Sequence, residues 1–395
     1  MEIIEPIFYI AISQTFFAAL LVATIKPLNI ANKLMASFLF MVFFDLLFAL
    51  IKLKFIVFYS FPFIAFTYGP ILFLYVEFMT KPGLKFDYRN LLHFIPFIVF
   101  FAASVIFRSD KAFTNFTGYL LADKFISVRI AYGLCFFLSI SVYSILTFIR
   151  ISNHQKRLKD LLSYESNKLT LSWLKIISIS FYAMYVVLFI LGGITLFFKF
   201  LPFDPYYTVF VFIAIFSFVY GFYAVKQPVL VGVVIKKTTN NENEADEVGS
   251  PIIIPVKEGV QKKDKSLNGR YSKSGLKADK AKKILDQLIL FMEVKKPYLD
   301  RDLSIYQLSN LTGISRHYIT EVLNELHGQN FFTFVNEYRV NEVIRRLNDP
   351  ANSNFTILAI AYDSGFNSKS TFNTIFKQLT GLTPSLYLAK IKKEN

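Results

Sequence analysis

The chain has 395 residues, 54% of them hydrophobic and only 18% charged, with 46 phenylalanines and a formal net charge of +15. So much apolar surface cannot be hidden in one core under a polar coat, which excludes an ordinary soluble protein. Basicity alone does not argue for nucleic acid. Most of the positive excess falls in the first 226 residues, between apolar runs, where it orients a membrane protein and faces anionic lipid.

Seven apolar runs of roughly bilayer-spanning length open the chain: Pro6–Ile25, Leu34–Ile51, Tyr59–Met79, Leu91–Phe107, Ile130–Phe148, Leu174–Phe198 and Tyr206–Val225. The fourth is the shortest. Met1–Glu5 carries no positive charge and no small-residue cleavage site follows the first run, so it reads as a span and not as a signal peptide. Lysine and arginine are slightly more numerous in the alternate loops that begin at Lys26. That bias favours an outside amino terminus and a cytoplasmic carboxyl terminus, in a multi-pass protein of a bacterial inner membrane.

Asp45 stands inside the second run, and an intramembrane carboxyl is costly enough to be a candidate sensing residue, although a hydrogen-bonded neutral acid explains it equally well. Glu77 and His93 fall at the cytoplasmic ends of the third and fourth runs, where interfacial solvation is the simpler reading. Gly69-Pro70 should kink the third run. Cys135 is the only cysteine, so neither a disulfide framework nor a cysteine-based metal site is expected. No nucleophile–base pair, metal-ligand cluster or phosphate loop stands out. Neither an enzyme nor a metal or cofactor is expected.

Apolar density collapses after Lys226. Residues 227–280 are polar, acidic over Thr238–Asp246 and rich in lysine, glycine and serine from Lys257, a composition that predicts a flexible linker spanning roughly 40 Å root-mean-square. Helical periodicity resumes at Ala281–Val294.

From Leu303 to Leu388 the chain then carries one pattern twice. At an offset of 52, Ile305 matches Ile357, Leu308 matches Ile360, Ser309 matches Ala361 and Gly313 matches Gly365. At an offset of 53, Ser315 matches Ser368, Ile319 matches Phe372, Val322 matches Ile375, Leu323 matches Phe376, Leu326 matches Leu379 and Gly328 matches Gly381. Each copy reads as a short helix, a glycine turn and a second helix opened by a serine cap, with the small residue allowing close approach of the two helices. That is a helix-turn-helix written twice, joined by a helical Asn330–Asn348.

The last 110 or so residues resemble the AraC/XylS-type transcription regulators. The resemblance is carried by Asn336-Glu337-Tyr338-Arg339-Val340, Ile357-Leu358-Ala359-Ile360-Ala361 and Gly365-Phe366-Asn367-Ser368-Lys369-Ser370-Thr371-Phe372. It continues through Phe376-Lys377-Gln378-Leu379-Thr380-Gly381 and Thr383-Pro384-Ser385-Leu386-Tyr387. The family's usual arginine after the closing tyrosine is replaced by Leu388. The resemblance implies seven helices in two subdomains, with Phe331–Leu347 as a rigid spacer. Phe334, Val335, Tyr338 and Val343 are its expected core residues, and Arg339 a polar anchor.

In the first unit Ile314, Tyr318, Ile319, Val322, Leu323 and Leu326 are assigned to the core. That leaves Arg316, His317, Thr320, Glu321 and Asn324 as candidate DNA readers. The matching set in the second unit is Lys369, Ser370, Asn373, Thr374 and Lys377. Arginine suits guanine, asparagine suits adenine, and glutamate can accept from cytosine; solvated surface is the simpler alternative at each position. Ser315 and Ser368 are expected to cap their helices, whose amino termini face phosphates.

The expected architecture is therefore all-α, with residues 1–226 as a seven-helix transmembrane sensor and 227–280 as a flexible cytoplasmic linker. Residues 281–395 form a seven-helix domain with two helix-turn-helix units. Its expected partners are double-stranded DNA, the lipid bilayer, a second copy in a homodimer, and an unknown signal. A transporter-like or merely anchoring membrane half with an appended regulator is the alternative.

Overall fold

The computed structural model describes residues 4–26, 29–54, 63–81, 83–106, 126–165, 167–197, 205–226 and 278–394. The described residues are helical, with no strand among them. They fall into two compact units: residues 4–153 with 171–226, and residues 154–170 with 278–394. Most of the segment expected to be a linker, 227–277, lies outside the described residues.

The first unit contains α1 (Ile4–Thr24), α2 (Ile30–Lys54), α3 (Tyr68–Thr80), α4 (Ile95–Ile106), α5 (Ile126–Leu161), α6 (Ser172–Phe197) and α7 (Pro205–Lys226), although α5 ends in the second unit. Six helical stretches are long and apolar enough to cross a membrane, and Ile64–Thr80 is a shorter apolar one. The expected start of the third run at Tyr59 lies outside the described residues. Twelve of the thirteen α3 residues are buried.

Helices α1, α2, α3 and α7 pack around Phe38, Leu39, Tyr68 and Tyr220. Gly221 allows α7 to approach α1, since a Cβ there would lie 2.9 Å from the Cβ of Ala18, as small residues do between membrane helices. Gly69 likewise seats the side chain of Tyr143, at 2.9 Å from the added Cβ, and a 3-10 turn at Ile64–Thr67 leads into α3 at this point. The outward face is apolar: Ile10, Phe17, Ile98, Leu138 and Ile176 are all exposed. Such a surface suits lipid and not water.

Three polar groups that the sequence singles out in this unit have partners. The Tyr68 hydroxyl donates to Asp45 at 2.6 Å, with Asp45 buried. Glu77 is held by Lys81 at 3.0 Å and Arg150 at 2.9 Å. His93 Nδ1 lies 3.0 Å from the Tyr143 hydroxyl. Glu77 and His93 are thus tied to neighbouring helices, beyond the interfacial solvation expected of them.

Beside the end of α5 and the short helix Asn167–Thr170, the second unit has over residues 278–394 α8 (Ala278–Lys295), α9 (Ile305–Thr312), α10 (Arg316–Val322), α11 (Phe331–Leu347), α12 (Ile357–Asp363), α13 (Lys369–Thr380) and α14 (Pro384–Glu394), the seven helices expected there. It has two hydrophobic cores. One joins α8, α9 and α10 to Phe331, Phe334 and Val335; the other joins α12 and α13 to Val340 and Val343. Helix α11 therefore gives successive turns to successive cores, and Arg339 sits where one core gives way to the other.

Candidate nucleic-acid interface

The repeat read from sequence folds as two like units. Ser304 opens α9 with a reciprocal capping box to Gln307, and Thr356, 52 residues on, caps α12 by accepting from Ala359 N. Gly313 and Gly365 turn each unit at φ +68° and +97°, and Gly328 and Gly381 end the second helices at +73° and +76°. All four adopt the left-handed conformation that a side chain resists. Small residues at Ser309 and Ala361 sit in the crook; Ser309 also donates to the carbonyl of Ile314 at 2.7 Å.

Two expectations fail in the first unit. Ser368 caps α13, accepting from Thr371 N at 3.1 Å, but the Ser315 side chain makes no capping bond. Ser315 has φ −56°, against −145° at Ser368, so only its carbonyl serves α10, accepting from Ile319 N at 3.0 Å. Leu326 is on the surface and not in the core, with 36% exposure, as is its counterpart Leu379 with 40%. Helix α10 runs on into a π turn over Leu323–His327, but Leu379 is exposed within the regular helix α13, so the apolar period does not by itself bury this position in either unit.

The candidate readers lie on the second helix of each unit and just beyond it. In the second unit Lys369, Ser370, Asn373, Thr374 and Lys377 are all exposed along one helix. In the first, His317 and Asn324 are exposed, while Arg316, Thr320 and Glu321 are half-buried. Arg316 is held in place, donating from Nη1 to the Tyr306 hydroxyl at 2.7 Å with its guanidinium 4.9 Å from that ring. Asn324 lies in the π turn.

Arg339 of the joining helix, 1% exposed, ties that helix to the connection before α9. Its Nε donates to Tyr298 O at 2.8 Å. Nη1 donates to Ser163 O at 2.8 Å and Asn336 Oδ1 at 3.3 Å, and Nη2 to Ser163 Oγ at 3.0 Å and Asp300 O at 2.7 Å. All five donors of the guanidinium are thereby satisfied. Burial without a carboxylate in contact lowers its pKa to about 10, which leaves it charged at neutral pH. Arg301 adds a bond across the units, from Nε to Tyr362 O at 3.1 Å.

Sequence reasoning missed Ser163 and the segment around it. The signal was there: Leu158, Leu161 and Leu162 form an i, i+3, i+4 apolar stripe in an otherwise basic stretch.

Two amphipathic units with exposed second helices, joined by one helix, define a double helix-turn-helix. Residues 308–390 match a family model described as a helix-turn-helix domain, in keeping with the AraC-type resemblance of this region. No curated protein and no solved structure matches the chain.

Proposed function

We propose that the protein is a membrane-anchored, sequence-specific transcription regulator, whose membrane half senses a signal and whose carboxyl-terminal domain binds promoter DNA in two adjacent major-groove segments. The observation that carries the reading is the duplicated helix-turn-helix, with matched caps and left-handed glycines and two exposed second helices. Arg316, His317, Thr320, Glu321 and Asn324 read one groove segment in this scheme, and Lys369, Ser370, Asn373, Thr374 and Lys377 the other. The Ser368 end of α13 faces a phosphate.

The apolar helices anchor the protein in the bilayer with the carboxyl-terminal domain in the cytoplasm, where DNA is. Asp45, buried and bonded to Tyr68, is the membrane residue placed to respond to a signal. No catalytic step is assigned. Full-length protein in lipid nanodiscs should retain a discrete promoter duplex against excess non-specific competitor, and deletion of residues 1–226 should remove signal dependence in cells. Binding that competitor abolishes would defeat the proposal.

A further inference from the structure

Residues 154–170, the end of α5 and the chain that leads to α6, belong to the second compact unit. Leu161 packs on its first core, and Leu162 and Ser163 are buried, at 3% and 0% exposure. Leu162 forms an antiparallel bridge with Ser304, the residue that caps α9. Both Ser163 N and Ser163 Oγ donate to Leu303 O, at 3.2 and 2.6 Å. Ser163 O accepts from Asn336 Nδ2 at 3.0 Å and from Arg339 Nη1 at 2.8 Å. Ser163 Oγ accepts in turn from Arg339 Nη2 at 3.0 Å.

These bonds converge where the two helix-turn-helix units meet. Arg339 donates to the carbonyls of Tyr298 and Asp300, in the connection before α9. From the second unit, the turn at Gly365 rests on the same guanidinium, with 2.9 Å between Nε and an added Cβ. Close by, Arg301 Nε donates to Tyr362 O at 3.1 Å. Ser163 thus ties the connection before α9 to the joining helix at the place where the second unit leans on both. Without residues 161–163 the contacts to Tyr298, Asp300 and Gly365 would persist. Two bonds from Arg339 and one from Asn336 would pass to water, and the joint would be looser. A looser joint has to be ordered when both recognition helices engage one duplex, which costs affinity. A single groove segment does not sense the joint.

We propose that residues 161–163 are a clip that fixes the spacing of the two recognition helices, with Ser163 as its positioning residue, so that a two-segment site is read tightly only while the clip is seated. The inference rests on the reading of α10 and α13 as the DNA readers. The clip is continuous in the chain with α5. Whatever withdraws it weakens binding to the two-segment site, and DNA bound across both segments holds it in by the same factor.

The test titrates the full chain in lipid nanodiscs against three duplexes, with affinity read by fluorescence anisotropy. One carries both footprinted segments about 10 base pairs apart, one carries them roughly 12 apart, and one carries a single segment. Ser163→Ala keeps the backbone bonds and loses the two made by the hydroxyl. Leu162→Asp puts a charge at a buried position and unseats the clip as a whole. On the shorter-spaced duplex Leu162→Asp should lose about tenfold in affinity, and Ser163→Ala less. Both should narrow the wild-type preference between the two spacings, and neither should change affinity for the single segment.

A spacing preference that both variants retain overturns the clip, and so does tighter binding of the two-segment duplex by either. An equal loss on the single segment reduces the effect to damaged folding and overturns it as well. Where Leu162→Asp does not insert or fold, Ser163→Ala decides alone. A wild type that binds none of the three duplexes marks the failure of the DNA-binding reading itself, and the clip falls with it.

Discussion

Gly365, the turn residue of the second helix-turn-helix, packs directly on Arg339 of the joining helix. A Cβ added at Gly365 would lie 2.9 Å from Arg339 Nε and would collide with the carbonyl oxygen of Tyr298. The turn of one unit is thereby pressed against the connection between α8 and α9 of the other.

Gly313 holds the equivalent turn in the first unit, but nothing lies within 4 Å of its would-be Cβ. Gly313→Ala should therefore cost only the left-handed backbone penalty, about 1–2 kcal/mol. Gly365→Ala adds the clash and should cost about 3 kcal/mol or more. Urea unfolding of the 277–395 fragment compares them, and equal losses would count against the packed contact.

Arg339→Lys keeps the charge but offers three donors where the site uses five. The carbonyls of Tyr298 and Asp300 then compete for one ammonium, and stability should drop by about 2–4 kcal/mol. The midpoint of thermal unfolding reads this directly. A variant as stable as wild type would show that the guanidinium network contributes little.

Glu342 faces three cations: Arg345 at 2.7 Å, Arg346 at 2.8 Å and Lys296 at 3.5 Å. Hydrogen bonding to Arg345, more than offsetting burial and reinforced by Arg346, holds its pKa down at about 2, from 4.5. The folded state binds this proton less tightly than the unfolded chain does. Its contribution is thus complete above pH 4.5 and disappears as pH falls toward about 2. Glu342→Gln should flatten the stability profile between those limits in the 277–395 fragment; an unchanged slope would assign the acid sensitivity elsewhere.

Asn373→Ala, on the exposed face of α13 proposed to read DNA, should relax preference at one base pair at a cost of about 1–3 kcal/mol. Arg316→Ala should do the same at a position in the other segment. Because Tyr306 holds Arg316, Tyr306→Phe should weaken the discrimination by Arg316 without moving that of Asn373. Selection from a randomised duplex library measures all three. A uniform loss at every sequence would mark these side chains as phosphate contacts.

The duplicated domain was legible in the sequence because it is written in local signals: period, caps and turn glycines. Gly313, Ser368 and Gly381 each act within a few residues of themselves. The failures are places where local pattern yields to tertiary geometry. Ser315 looks like Ser368, but its backbone leaves its hydroxyl out of the cap. Leu326 keeps the apolar period and is nonetheless exposed, as is Leu379 at the same position of the second unit. The seat of Ser163 joins residues 176 positions apart, a pairing with Arg339 that no periodicity encodes. Among the apolar helices, the runs revealed the segments but not their partners, so a hydrogen-bonded Asp45 was expected while Tyr68 as its donor could not be foreseen.

The central claim is that both units read DNA together, and hydroxyl-radical footprinting of the 277–395 fragment on its promoter tests it most directly. Two recognition helices on one spacer should protect two major-groove segments on the same face of the duplex, about 10 base pairs or roughly 34 Å apart. Protection of one segment alone, unchanged by Asn373→Ala or by Arg316→Ala, would contradict it.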